Sequence, residues 1–192
     1  MKKLNKITGT AIFGAIIIVL QLIANYLPAI GGVSITLALF PIALGAIIYG
    51  PISGLILGFV NGIIVLTAPS TLTIFFTNYP WQTILICLLK TSLAGLVAGL
   101  IFKAFKGKHT YLAVTLAAIS VPLVNTGLFS ISMLTLHRPL LDQLTNAYGN
   151  GYNAVGYLFL IFIGMNFLIE FVINVALVPT TYKLTNLLLK NK

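Results

Sequence analysis

WQTILICLLKTSLAGLVAGLIFKAF, residues 81–105, is largely apolar and carries no charge apart from one lysine in its interior, Lys90, and another near its far end, Lys103. About 20 apolar residues at 1.5 Å each cover the hydrocarbon core of a bilayer, so this stretch reads as a membrane-crossing helix. Lys90 then lies roughly 13 Å below the outer boundary. An unpaired lysine at that depth costs about 2.5–3.5 kcal/mol on insertion scales, so it must face a polar cavity or a partner.

The rest of the chain has the same character. Of its 192 residues, 59% are hydrophobic and only 7% charged, against about 25% charged in a soluble domain. At roughly 20 residues per crossing, this length holds about six helices and no separate soluble domain. The expectation is an all-α membrane protein, a single domain over 1–192 with six transmembrane helices. They are read at 7–27, 36–49, 52–67, 81–105, 111–136 and 154–188. The breaks between them fall at Pro28, Gly50-Pro51, Pro69-Ser70, Lys106–His109 and His137-Arg138-Pro139. Pro122 should kink the fifth helix, and Pro179 should bend or break the last, which is too long for one crossing. Residues 71–80 are ambiguous, and 137–153 read as a long loop.

Lysine and arginine set the orientation. With the N-terminus inside, Lys2, Lys3, Lys6, Lys103, Lys106, Lys108, Lys183, Lys190 and Lys192 all fall on the cytoplasmic side, nine of the eleven basic residues. Both ends are therefore expected in the cytoplasm. The same placement disposes of the net charge of +9 as a sign of nucleic-acid binding, because the basic residues flank apolar spans. Met1-Lys2-Lys3 before an apolar run resembles the start of a signal peptide. The run is long and lacks an obvious cleavage signal, so it reads as the first helix.

Few residues can carry chemistry. Glu170 shares one helix face with Asn166 and Asn174, at spacings of four. That polar stripe must point into the bundle. Asn166 and Asn125 fall at about the depth of Lys90, so polar groups from several helices converge in the outer half. Lys90 is either the anchor of an anionic ligand group, the partner of Glu170, or a snorkelling side chain. Asn125, Asn166, Asn61 and Asn174 could equally serve as interhelical hydrogen bonds. Trp81 is either an interfacial belt residue or a pocket wall. Tyr152 lies in the last loop and completes the candidate binding set of Lys90, Asn125, Asn166, Trp81, Tyr152 and Glu170. His109 and His137 read as solvated or interfacial, and Cys87 as a small filler. Two histidines and one cysteine make no metal-ligand set. With no paired carboxylates and no phosphate-cradling G-x-x-x-x-G-K-[ST] loop, the chain is expected to be neither an enzyme nor an ATP binder. Gly50, Gly54, Gly58 and Gly62 make a flat face for close helix packing, and Ala11-x-x-x-Ala15 forms another small-residue face near the cytoplasmic end.

Two segments carry a family resemblance. Ala11-Ile12-Phe13-Gly14-Ala15 is similar to the alanine motif in the first helix of the S components, the substrate-binding subunits of energy-coupling factor (ECF) vitamin transporters. Pro41-x-x-x-Gly45-x-x-x-Tyr49-Gly50-Pro51-x-x-Gly54-x-x-x-Gly58 resembles their junction between helices two and three. The resemblance implies high-affinity binding of one vitamin or precursor near the outer face of a bacterial cytoplasmic membrane. It also implies assembly with a transmembrane coupling protein and two ATPase subunits, which use the ATP. Ala11 and Ala15 would face the coupling protein. Segments 28–35, 69–80 and 137–153 would act as lids. Pro122-Leu123-Val124-Asn125-Thr126-Gly127 looks most like the pantothenate branch; folate, hydroxymethylpyrimidine and riboflavin remain open. A self-sufficient small-solute transporter is the competing reading.

Overall fold

The computed structural model describes residues 3–27, 36–107 and 109–190. Among them every regular element is helical and none is a strand. In chain order they are α1 (Lys3–Asn25), α2 (Leu39–Tyr49), α3 (Pro51–Val65), a π-helical turn (Thr71–Phe76), α4 (Pro80–Phe105), α5 (Thr110–Leu134) and α6 (Arg138–Tyr148). The short α7 (Ala154–Gly156), a second π-helical turn (Tyr157–Phe162), α8 (Gly164–Ala176) and α9 (Val178–Lys190) complete the chain. α1, α4 and α5 are each long and apolar enough to cross a membrane. The bent pair Ala154–Phe162 and Gly164–Ala176 makes a fourth candidate. α2 and α3 are apolar but shorter.

α2 is the axis of the bundle. Leu39 and every residue from Pro41 to Ile48 are buried, as expected of a helix apolar on all sides. It packs against α1, α3, α4, α5, α8 and α9. Outer helices turn large apolar side chains outward instead, including Ile12, Val19 and Ile23 on α1 and Leu85 and Leu100 on α4. An apolar exterior around a packed interior suits lipid as the surrounding solvent.

The glycine face read from sequence forms the seam between α3 and α4, which run antiparallel. A Cβ on Gly54 would strike the Gly95 carbonyl, one on Gly58 the Thr91 carbonyl, and one on Gly62 the backbone of Cys87 and Leu88. Thr91 Oγ1 donates across the seam to the Gly58 carbonyl at 2.7 Å. Gly50 supplies the positive φ of +98° that the α2–α3 turn requires, and Pro51 starts α3 where its missing N–H is no loss. Contacts place the charged elements at one end of the bundle. Lys6 Nζ reaches the Gly50 turn, Gly99 abuts Pro51, and the rings of Tyr111 and Tyr182 meet edge to face at 5.2 Å.

Three expectations are corrected. Residues 137–153 are not one long loop. Most of them form α6, which buries Leu140 and Leu141 and pairs exposed Arg138 with Asp142 at 2.9 Å. Residues 154–188 are interrupted twice. The first break, at Ile163, bends the chain by 44° before Gly164, where a Cβ would strike the Phe159 carbonyl. The second, at Leu177, is the break expected near Pro179, which sits in the first turn of α9. His137 is buried at 1% exposure rather than solvated. The ambiguous residues 71–80 are largely the first π-helical turn. The expected lid over 28–35 lies outside the described residues, as do Lys2, Lys108 and Lys192.

Gly58→Val should lower the stability of the purified protein by more than ~2 kcal/mol, because the seam has no room for a side chain. Gly127→Ala, where a Cβ meets nothing within 4 Å, should be neutral or stabilising by up to ~1 kcal/mol. Thermal melts in detergent check both, and equal melting temperatures for wild type and Gly58→Val would contradict the seam.

Candidate functional site

Lys90 points where the seam forces it. Thr91 is locked against α3, and the preceding residue lies about 100° round the helix. Its side chain therefore enters the interior between α4, α5 and α8, with 7% exposure. There it meets Asn125, Thr126 and Phe129 from α5, Asn166, Phe167 and Glu170 from α8, and Thr36 just before α2. Lys90 Nζ stands 5.0 Å from the centroid of the Phe129 ring, a cation–π contact.

Glu170 does not neutralise Lys90 by direct contact. Among the described residues the one ion pair within 4.0 Å is Arg138–Asp142 on the surface. The Glu170 carboxylate instead accepts the Thr36 backbone N–H at 2.8 Å. Asn125 and Lys90 are near enough to act on it electrostatically. Asn174 Nδ2 donates to the Glu170 backbone carbonyl at 2.9 Å, which stiffens α8 below the site. Asn125 Oδ1 is buried with no partner among the described residues. The structure thus holds a buried cation and a buried carboxyl group on facing helices without joining them. Both would gain from a molecule that spans the gap. The space among them is about 20 Å³, room for little more than a water, so any larger guest must part these side chains.

A family model described as ECF transporter, substrate-specific component, matches residues 5–182. The chain belongs to that family. No curated protein and no solved structure matches it. Membership makes this S component a substrate-binding part of a membrane transporter rather than an enzyme.

Of the six binding residues expected from sequence, the S component brings four together: Lys90, Asn125, Asn166 and Glu170. Trp81 is 80% exposed in the first turn of α4, and Tyr152 is 48% exposed beyond α6. Neither lines the space around Lys90. Asn61 is fully buried on α3 and does not line it either. Sequence reasoning missed Phe129, which nothing local distinguishes from other core phenylalanines. It also missed Gln21 and Asn25, though two amides four residues apart in an apolar helix were a legible signal. Gln21 Nε2 donates to Asn25 Oδ1 at 3.1 Å, and Asn25 Nδ2 donates to the Ile64 carbonyl at 3.2 Å.

Above the site sits an aromatic plug of Phe75, Phe129, Tyr157 and Phe162. His137 is its polar pin. Its Nδ1 is hydrogen-bonded to Ser132 Oγ at 2.9 Å, and its Nε2 is 3.5 Å from Thr83 Oγ1. The Thr83 hydroxyl in turn donates to the Tyr79 carbonyl at 2.7 Å. Phe75 and Tyr79 close on the imidazole edge to face. One neutral side chain therefore ties together the first π-helical turn, α4, α5 and the start of α6.

Burial lowers the His137 pKa from the ordinary imidazole value, with a hydrogen bond at Ser132 in partial opposition. The folded chain thus resists a proton that the unfolded chain accepts below about pH 6.5. Its contribution should be intact above that pH and lost as pH falls through the folded value. Thermal melts from pH 8 to 5 should show a steeper acid decline for wild type than for His137→Gln. Parallel curves would exclude the pin.

Proposed function

We propose that this chain captures pantothenate for an ATP-driven vitamin importer, binding it at the end of the bundle away from its lysines. The observation that carries the reading is the buried Lys90 ammonium, with no carboxylate in ion-pair contact, facing Glu170 and Asn125 across a polar gap. A ligand carboxylate is the group that satisfies such a cation best. Glu170 and Asn125 Oδ1 are acceptors, so the rest of the ligand should donate from hydroxyl or amide groups. Pantothenate carries a carboxylate, hydroxyls and an amide in one flexible molecule. The stretch Pro122–Gly127, with Asn125 at the site, favours the same branch. Hydroxymethylpyrimidine could donate to Glu170 through its amino group but would leave Lys90 without an anion. Riboflavin and folate are larger and need the lining to move further.

The reading includes a topology of six crossings with both ends cytoplasmic in a bacterial cytoplasmic membrane. It is supported by the gathering of Lys6, the Gly50 turn, Gly99 and Tyr182 at one end, and by the alternating helix directions. ATP is consumed by partner subunits, two ATPases joined to a transmembrane coupling protein. Ala11 and Ala15 line an open groove of about 680 Å³ between α1 and α3, a surface on which a coupling helix could pack. Segments 69–80 and 137–153 serve as lids, and Trp81 and Tyr152 would join the site on closure.

Calorimetry on the purified chain tests the ligand. Pantothenate should bind without ATP, and Lys90→Met should weaken it by roughly 30-fold or more, with the fold retained. Undiminished affinity in Lys90→Met would remove the anchoring role. Replacing Ala11 and Ala15 together by leucine should abolish uptake by the reconstituted complex while leaving pantothenate affinity within about threefold, or ~0.65 kcal/mol. Loss of both properties together would argue against a docking face.

A further inference from the structure

Lys90 separates two spaces rather than closing one. The first, toward Asn125, Asn166 and Glu170, is the site described above. The second lies on the other side of Lys90 and Phe129, toward α1 and the first π-helical turn. Its polar wall includes Gln21, Ser70, Thr71, Thr83 and Cys87, and its volume is about 30 Å³. Thr36, Lys90 and Phe129 line both spaces, so the two lie on either side of the same side chains.

The second lobe carries its own sign of a ligand. Gln21 is 1% exposed, and its Oε1 has no hydrogen-bond partner among the described residues. Its Nε2 is committed to Asn25, which fixes the amide and leaves the acceptor for the lobe. Other wall hydroxyls are less free. Thr83 donates to the Tyr79 carbonyl and keeps only acceptor capacity. A buried carbonyl oxygen without a donor costs about 1–3 kcal/mol, which a ligand N–H or O–H would relieve.

We propose that this lobe is a second subsite, built to take an uncharged, hydrogen-bond-donating arm of the same substrate, with Gln21 Oε1 as its acceptor. The inference rests on the vitamin-binding reading above and deepens it. The substrate is then a molecule whose anionic group meets Lys90 at the junction. One donor-bearing part reaches Glu170, and another passes Phe129 to reach Gln21. Opening of the two lobes is a single event, because the Phe129 ring walls both. Gln21 selects for the donor arm and would discriminate against analogues that lack it.

Cys87 is the chain's sole cysteine and lines this lobe, which supplies the test. The purified full-length chain is exposed to methyl methanethiosulfonate, and modification of Cys87 is followed by mass spectrometry. The probe is whichever of pantothenate, riboflavin, folate or hydroxymethylpyrimidine binds wild type saturably. The expected result is slow modification without vitamin and at least roughly tenfold slower modification at saturation. Gln21→Leu should weaken the same vitamin by about tenfold and leave the melting temperature of the vitamin-free protein near that of wild type. Failure of Cys87 to react without vitamin, or equal rates with and without it, would overturn the subsite. So would unchanged affinity in a folded Gln21→Leu protein; should Gln21→Leu not fold, the wild-type labelling rates decide. In those cases loss of binding in Lys90→Met would leave the vitamin reading standing. If none of the four vitamins binds wild type, the functional reading falls and the subsite with it.

Discussion

The close approach of α3 and α4 is the constraint on which the rest depends. Glycines at 54, 58 and 62 let two backbones touch, and Thr91 is bonded into that contact. A helix pinned along one face has no freedom left in its rotation. Lys90, next in sequence to Thr91, is thereby committed to the interior. A lysine so placed could not snorkel to either interface, and it draws the polar faces of α5 and α8 toward it. The seam is apolar packing in itself, yet it decides where the one buried cation lies.

From that placement the interior becomes an unfinished electrostatic arrangement. A salt bridge between Lys90 and Glu170 would have been a structural solution, stable and inert. The chain instead spends the carboxylate on the Thr36 amide and sets the ammonium against an aromatic face. Removing an ammonium group from water without a counter-ion is unfavourable, and a fold tolerates it where a guest completes the set. The aromatic plug and its histidine cover this arrangement from one end. Opening the site means unpacking Phe129, which belongs to the plug, to the cation–π contact and to both interior spaces.

How much of this was legible in the sequence depended on the kind of signal. Composition and helix-length apolar runs announced a helical membrane protein, and glycines four apart announced the seam. Polar residues stranded in apolar helices announced Lys90, Asn125, Asn166 and Glu170. Helix boundaries held to within a few residues where proline or glycine marked them. Two misreadings share a cause. α6 was taken for loop because its amphipathic pattern is short and polar, and its packing onto the plug lies far along the chain. His137 was taken for solvated because its burial depends on Phe75 and Tyr79, more than fifty residues away in sequence. Trp81 and Tyr152 remained apart from the cluster because residue type says nothing of the direction a side chain takes. The expected six crossings rested on total length, and α2, with 11 residues, is the shortest helix to which one was assigned.

The uneven distribution of charge along the bundle has a kinetic consequence. Among the described residues the only charged side chains at the end away from the lysines are Arg138 and Asp142, which neutralise each other. α4 alone measures roughly 39 Å at 1.5 Å per residue, while the Debye length in physiological salt is about 8 Å. An anion arriving at that end would feel almost no field from the basic cluster at the other. Its encounter rate should then be that of plain diffusion and nearly indifferent to ionic strength. Any preference for negative solutes would have to arise after entry, as slow departure rather than fast arrival.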